Sequence, residues 1–137
     1  MKRILVAYDG SAPAAKAFAL ALDFAAQYGA EVTVLAVARP PEFGSEVETE
    51  AVTENSKKHY RQVLKPLSEV AAAAKIAAHF EVVVGHPAER IVRHAETWQA
   101  DLIVVGHRGQ TFFERLLVGS VAKHVIDHAP CAVLVAR

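Results

Sequence analysis

The sequence predicts an α/β protein: a doubly wound, five-stranded parallel sheet of order 3-2-1-4-5 with helices on both faces, Rossmann-like in class. Three observations lead there. Short apolar runs rich in β-branched residues recur along the chain, as strands covered on both faces read. Stretches of helical period separate them, and strand–helix alternation implies right-handed crossovers and a parallel sheet. One reversal of winding direction then leaves a switch point at the carboxyl ends of the first and fourth strands, where ligands of such sheets usually bind. Asp9 and Gly106 are expected to face each other there.

The elements follow in order. Residues 4–7 make the first strand. Asp9-Gly10-Ser11 turn the chain, with Ser11 as N-cap and Pro13 tolerated in the first helical turn. The first helix spans residues 13–28, with Phe18, Leu22 and Ala25 at inward spacing, and Gly29 closes it. Residues 31–38 form the second strand, which Pro40-Pro41 stop. The acidic residues 42–54 lack periodicity and read as a loop or frayed helix start. A helical pattern resumes over residues 53–74, with Tyr60, Val63, Leu64 and Leu67 on one side and Pro66 expected to kink or split it. Residues 80–84 form a third strand, Gly85-His86-Pro87 a turn, and residues 88–98 a short helix. After the fourth strand and a glycine stretch, a last helix covers residues 120–128, and residues 131–136 make the fifth strand.

The stretch that organises the chain is residues 101–121, DLIVVGHRGQTFFERLLVGSV. Leu102 to Val105 are a buried-type strand bounded by Asp101 and Gly106. Gly106 and Gly109 follow, then, after nine residues, Gly119-Ser120 at the start of a helix. Glycines let backbone approach a ligand without an intervening Cβ. A hydroxyl at a helix mouth adds to N–H groups and the positive end of a dipole, which attract anions. Together these features read as a phosphate cradle.

Composition narrows the class. With 137 residues, 53% hydrophobic and 22% charged, the chain reads as one domain over residues 1–137. Lys+Arg and Asp+Glu number 15 each, so there is no electrostatic footprint for nucleic acid or an anionic membrane. No apolar run approaches the roughly 18 residues of a membrane span. The single cysteine, Cys131, fits a reducing compartment, and a cytoplasmic location is expected. There is no G-x4-G-K-[S/T] P-loop, no G-x-G-x-x-G after the first strand, and no acidic, glycine-rich ATP-pyrophosphatase loop.

The spacing G-x2-G-x9-G-[S/T], carried by Gly106, Gly109, Gly119 and Ser120, resembles the nucleotide-binding signature of the universal stress protein family. The opening ILVAYDGS and the closing GSVAKHVIDHAPCAVLVAR are similar to that family's first strand and last helix and strand. The resemblance implies a small α/β regulatory protein of stress responses, in the branch that binds ATP, with or without Mg²⁺, and that is usually dimeric. It implies that backbone around Ala7 and Tyr8, the Asp9 carboxylate and backbone near Val37 line an adenosine site. It also implies that Gly109, Gly119, Ser120, Val121 and Ala122 hold the phosphates. His107 and Arg108 fill the variable positions between the first two glycines, and Ala122 stands where some relatives offer a hydroxyl. Related proteins dimerise through the edge on which residues 131–136 are expected to lie, and a protein partner of unknown identity is implied beside the nucleotide.

Several residues carry two readings. The glycines serve a phosphate or plain turns; Asp9 serves a ligand or caps the first helix. Arg108 pairs with a phosphate or stands exposed in a loop. Phe112 and Phe113 fit local or partner packing better than stacking on adenine. His124 and His128 have the i,i+4 spacing of zinc ligands, but no third ligand accompanies them, and a solvated helix face fits better. His86 reads as a loop residue and Cys131 as a small core residue. Three functions fit: a nucleotide-binding regulator, a slow ATPase or phosphotransferase on the same site, and an interaction module without nucleotide. The enzyme reading lacks an identifiable base, with only His107 and Arg108 nearby.

Overall fold

The computed structural model describes residues 1–41, 46–108 and 118–137. Its elements run β1 (Arg3–Ala7), α1 (Ala12–Tyr28), β2 (Glu31–Ala38), α2 (Glu46–Ala73), β3 (Ala78–Val84), α3 (Pro87–Trp98), β4 (Leu102–Gly106), α4 (Ser120–His128) and β5 (Ala132–Ala136). The five strands pair in the order β3-β2-β1-β4-β5, every pair parallel. This is the doubly wound arrangement expected from the alternation of strands and helices.

Strand periodicity sorts the core into two layers, because successive side chains point to opposite faces. Ile4, Val6, Val32, Val34, Leu102 and Val104 meet Ala17, Phe18, Ala21 and Ala25 of α1 and Leu64 of α2 on one face. Leu5, Leu35, Ile103 and Val105 meet Ile91, Val92 and Ala95 of α3 and Ala122 and Val125 of α4 on the other. Ile4, Leu5 and Val6 are completely buried, since β1 is the middle strand with helices on both sides. Burying each large aliphatic side chain contributes about 1.5–3 kcal/mol relative to exposure.

Capping follows sequence chemistry. The Ser11 hydroxyl accepts the Ala14 N–H at 3.2 Å, and Gly29 takes φ 65° at the end of α1, donating its N–H to the Ala25 carbonyl. A side chain with a Cβ is disfavoured in that left-handed conformation.

Two expectations need correction. Helix α2 begins at Glu46 rather than near residue 53, so most of the expected acidic loop is helical. Carboxylates such as Glu48 and Glu50 suit the first turns of a helix, where the dipole is positive. Pro66 does not split this helix, which runs through it to Ala73. The proline ring lies on the exposed face, while Leu64 and Ala71 on either side are buried and hold the helix on the sheet. Among the described residues, no helix is long and apolar enough to cross a membrane.

Candidate functional site

A cavity of about 680 Å³ opens at the carboxyl ends of β1, β2 and β4. That lies within the range of small-ligand sites. It exists because the winding reverses there: the crossover from β1 leads to one side, that from β4 to the other, and the two connections diverge.

The end of β1 supplies Ala7, Tyr8 and Asp9. The Tyr8 N–H donates to the Leu35 carbonyl at 2.9 Å, tying this rim to β2. One oxygen of Asp9 accepts the Ser11 N–H at 2.9 Å, so this carboxylate organises the turn into α1 while bordering the cavity. From β2 come Leu35, Val37 and Arg39, and from β4 Val105 and Gly106.

Gly106 has a reason of its own. A Cβ there would lie 2.7 Å from the Pro13 Cβ, 2.9 Å from the Pro13 carbonyl carbon and 3.0 Å from the Ala14 nitrogen. The start of α1 crosses directly over the end of β4, and only glycine leaves room.

Gly119, Ser120, Val121 and Ala122 form the opposite rim. Gly119 is the N-cap of α4 in an extended conformation, φ −62° and ψ 157°, which any residue can adopt. Its N–H donates to the His107 carbonyl at 2.6 Å. The first bond inside α4 is from the Lys123 N–H to the Gly119 carbonyl at 2.9 Å. The N–H groups of Ser120, Val121 and Ala122 thus precede the helical ladder, the N-cap residue Gly119 has no side chain to cap them, and all three residues border the cavity.

His107 and Arg108 separate in role. The Arg108 Nε donates to the His107 Nε2 at 2.9 Å, and the His107 Nδ1 lies 3.3 Å from the Ala136 carbonyl. With Nδ1 protonated, both ring nitrogens of His107 are engaged beside the end of β5. Arg108 borders the cavity and His107 does not. Gly109, Phe112 and Phe113 lie outside the described residues.

Three contributors escaped the sequence: Arg39, and Ser56 and Tyr60 of α2. Tyr60 shows only as part of an apolar helix stripe, which marks it as core. In the structure burial pushes its phenol pKa up, the Asp9 carboxylate pushes it further, and Arg39 opposes both. Arg39 directly follows β2, so the rule that ligands gather at carboxyl ends of strands is the signal that could have found it.

The remaining candidates do not line this cavity. The His124 and His128 rings stack with centroids 4.2 Å apart, and the His128 Nδ1 lies 3.0 Å from the His124 carbonyl. Among the described residues, no three His, Cys, Asp or Glu side chains gather as a metal site. Cys131 is half-buried; burial and then the Asp101 charge raise its thiol pKa, while a hydrogen bond involving the Ile103 backbone lowers it. A thiol held in the protonated form is a poor nucleophile.

The whole chain, residues 1–137, matches the model of the universal stress protein family. It is 37% identical to a universal stress protein of Methanocaldococcus jannaschii over 139 residues, covering 99% of this chain and 82% of that protein. Its fold superposes on the universal stress protein UspA from Lactobacillus plantarum with a TM-score of 0.92 at 28% identity, over 99% of this chain and 97% of the other. It is also similar in fold to a universal stress protein solved in complex with cAMP, with a TM-score of 0.77 at 24% identity, over 99% and 97% of the two chains. The chain belongs to the universal stress protein family.

Proposed function

We propose that this protein is an ATP-binding regulator of the cytoplasmic stress response, with the nucleotide in the cavity at the carboxyl ends of the strands. One observation carries the reading. Ser120, Val121 and Ala122, whose N–H groups lie outside the helical ladder of α4, border the same space as the ends of β1 and β2. A phosphate there gains backbone donors, the Ser120 hydroxyl and the positive end of α4, with Arg108 on the same wall. The base and ribose then lie toward Ala7, Val37 and Asp9, at the ends of β1 and β2. The fold is one in which a cyclic adenine nucleotide has been seen, in the cAMP complex. Gly119 serves this site as the bend that aims α4, its own N–H being given to His107.

Asp9 is the carboxylate bordering the cavity among the described residues. One carboxylate together with phosphate oxygens is a donor set that suits Mg²⁺, so the residues present fit a phosphate-bound magnesium ion. A catalytic role has less support. The His107 ring, the nearest imidazole in sequence to the glycines, is occupied by Arg108 and Ala136. Turnover of ATP is accordingly expected well below the roughly 1–10³ s⁻¹ of typical enzymes.

The regulatory output is a change in surface shown to a protein partner or to a second copy. β5 pairs only with β4 among the described strands and leaves its other edge open, an invitation to pairing with another chain. A two-fold homodimer through β5 is expected, and a monomer at tens of micromolar by light scattering would contradict it.

The functional test is direct. Purified protein is denatured and the supernatant examined for nucleotide, and stripped protein is melted with ATP. A ligand at a hundred times its dissociation constant stabilises the fold by about 2.7 kcal/mol, enough to raise the melting temperature by several degrees. No released nucleotide together with no shift at millimolar ATP would overturn the reading.

A further inference from the structure

Beside the main cavity lies a shallower one of about 260 Å³, between the start of α3 and the adjacent face of α4. The two share Arg39, Pro87, Ser120 and Val121, so they adjoin across the mouth of α4. The smaller space adds His86, Ala88, Glu89 and His124.

We propose that this annex receives the outer phosphates of a nucleoside polyphosphate, so that the site reads phosphate-chain length. The inference rests on the nucleotide reading above and deepens it. A first phosphate held at Ser120 stands at the junction of the two spaces. The next phosphates then have a path lined by one guanidinium, from Arg39, and two imidazoles, from His86 and His124, against one carboxylate, from Glu89. Imidazole donates an N–H to phosphate when neutral and adds charge when protonated.

Neither histidine is spent elsewhere. His86 is the N-cap of α3 yet makes no side-chain capping bond. The His124 ring is partly buried and stacked on His128, which fixes its position on α4. Among the described residues neither imidazole forms an ion pair, and neither ring nitrogen pair takes a hydrogen bond. On this reading the phosphate of a monophosphate stays at Ser120, at the junction, and only a longer chain extends among these groups, so AMP and ATP should differ in their dependence on them.

The test is titration calorimetry of stripped protein with AMP and with ATP, at one salt concentration. The proteins compared are the wild type, the double variant His86→Ala/His124→Ala, and Glu89→Gln. The double variant is expected to bind AMP as the wild type does and ATP more weakly, by roughly two- to fivefold for each ring removed. Glu89→Gln is expected to tighten ATP by roughly twofold and leave AMP unchanged, an opposite sign that a merely structural role would not produce. An unchanged ATP-to-AMP affinity ratio in the double variant, or an equal loss for both nucleotides, would overturn the annex while leaving the nucleotide site intact. Wild-type protein that binds neither AMP nor ATP would overturn both.

Discussion

At the amino ends of β1 and β4, one oxygen of Asp101 accepts N–H groups from Lys2 at 2.7 Å and Arg3 at 2.9 Å. The Arg3 side chain donates to the Trp98 carbonyl at 2.8 Å and to Glu31 at 3.2 Å, and its guanidinium stands 5.9 Å from the centre of the Trp98 ring. The carboxyl ends of the same strands, a few residues away, hold a cavity bordered by the start of α4, Arg39, Arg108 and Asp9. The strands are equally apolar through their length, so the difference lies in where the polar groups at each rim find partners. At the amino end they close on one another and fasten the sheet. At the carboxyl end, the residues that carry the first N–H groups of α4 border the cavity, an arrangement that has value chiefly when an anion arrives. Polar groups are paired off at one rim and border a cavity at the other.

The largest expected effect tests how tightly the carboxyl rim is built despite its cavity. Gly106→Val forces a side chain onto Pro13 and Ala14 at contacts of 2.7 to 3.0 Å. Overpacking of this kind typically destabilises by about 1–3 kcal/mol, to be read by urea denaturation. Wild-type stability in this variant would show that α1 can move away and that the rim is looser than described.

Next is Ser11→Ala, which removes the hydroxyl that accepts the Ala14 N–H. A loss of about 1 kcal/mol is expected by the same method. An effect near zero would mean that Asp9, already bonded to the Ser11 N–H, holds the turn alone.

The amino rim is probed by pH. Hydrogen bonds from the Lys2 and Arg3 backbone hold the Asp101 carboxyl below its usual pKa, with the amino terminus and Arg3 adding to the effect and slight desolvation opposing it. A lowered folded pKa contributes stability that is complete above the unfolded value, about 3.9, and is lost as pH falls through the folded value. Asp101→Ala should therefore be less stable than wild type at pH 7, and the gap should shrink as pH drops below about 4. A gap independent of pH would assign the effect to packing instead of charge.

The smallest expected change is for Glu31→Gln, which removes the carboxylate facing Arg3 at 3.2 Å and His79 at 3.8 Å. Both partners of the Arg3 pair are well exposed, at 42% and 37%, so only about 0.2–1 kcal/mol is expected, declining with added salt.

Much of this architecture was legible in the chain because its signals are local. Apolar β-branched runs ended by Gly, Pro or Asp mark β1, β2 and β4, and Ser11 and Gly29 mark the ends of α1. The start of α2 was not legible: the glutamates that favour a helix amino terminus also give the polar composition of a loop. Pro66 was expected to kink or split the helix; α2 continues through it unsplit because the packing of Leu64 and Ala71 holds the helix on the sheet, which no reading of the proline alone supplies. The stretch containing Gly106, Gly119 and Ser120 drew attention through its spacing, yet the reason for Gly106, the crossing of α1 over β4, joins residues more than ninety positions apart. Arg39, Tyr60, His86 and His124 come to the cavity and its annex from four different segments, and no one-dimensional pattern groups them.

The central claim is that the amino terminus of α4 holds phosphate, and one substitution isolates it. Ser120→Pro removes both the N–H and the hydroxyl at the first helical position, where proline is tolerated. Gly119 already has the extended backbone that a residue before proline requires, with φ −62° and ψ 157°. The variant should melt close to wild type without ligand and bind adenosine equally well. By calorimetry its affinity for ATP should fall at least about tenfold, the loss of one or more charge-assisted hydrogen bonds. A folded Ser120→Pro protein that binds ATP as tightly as wild type would place the phosphates away from α4 and contradict the account.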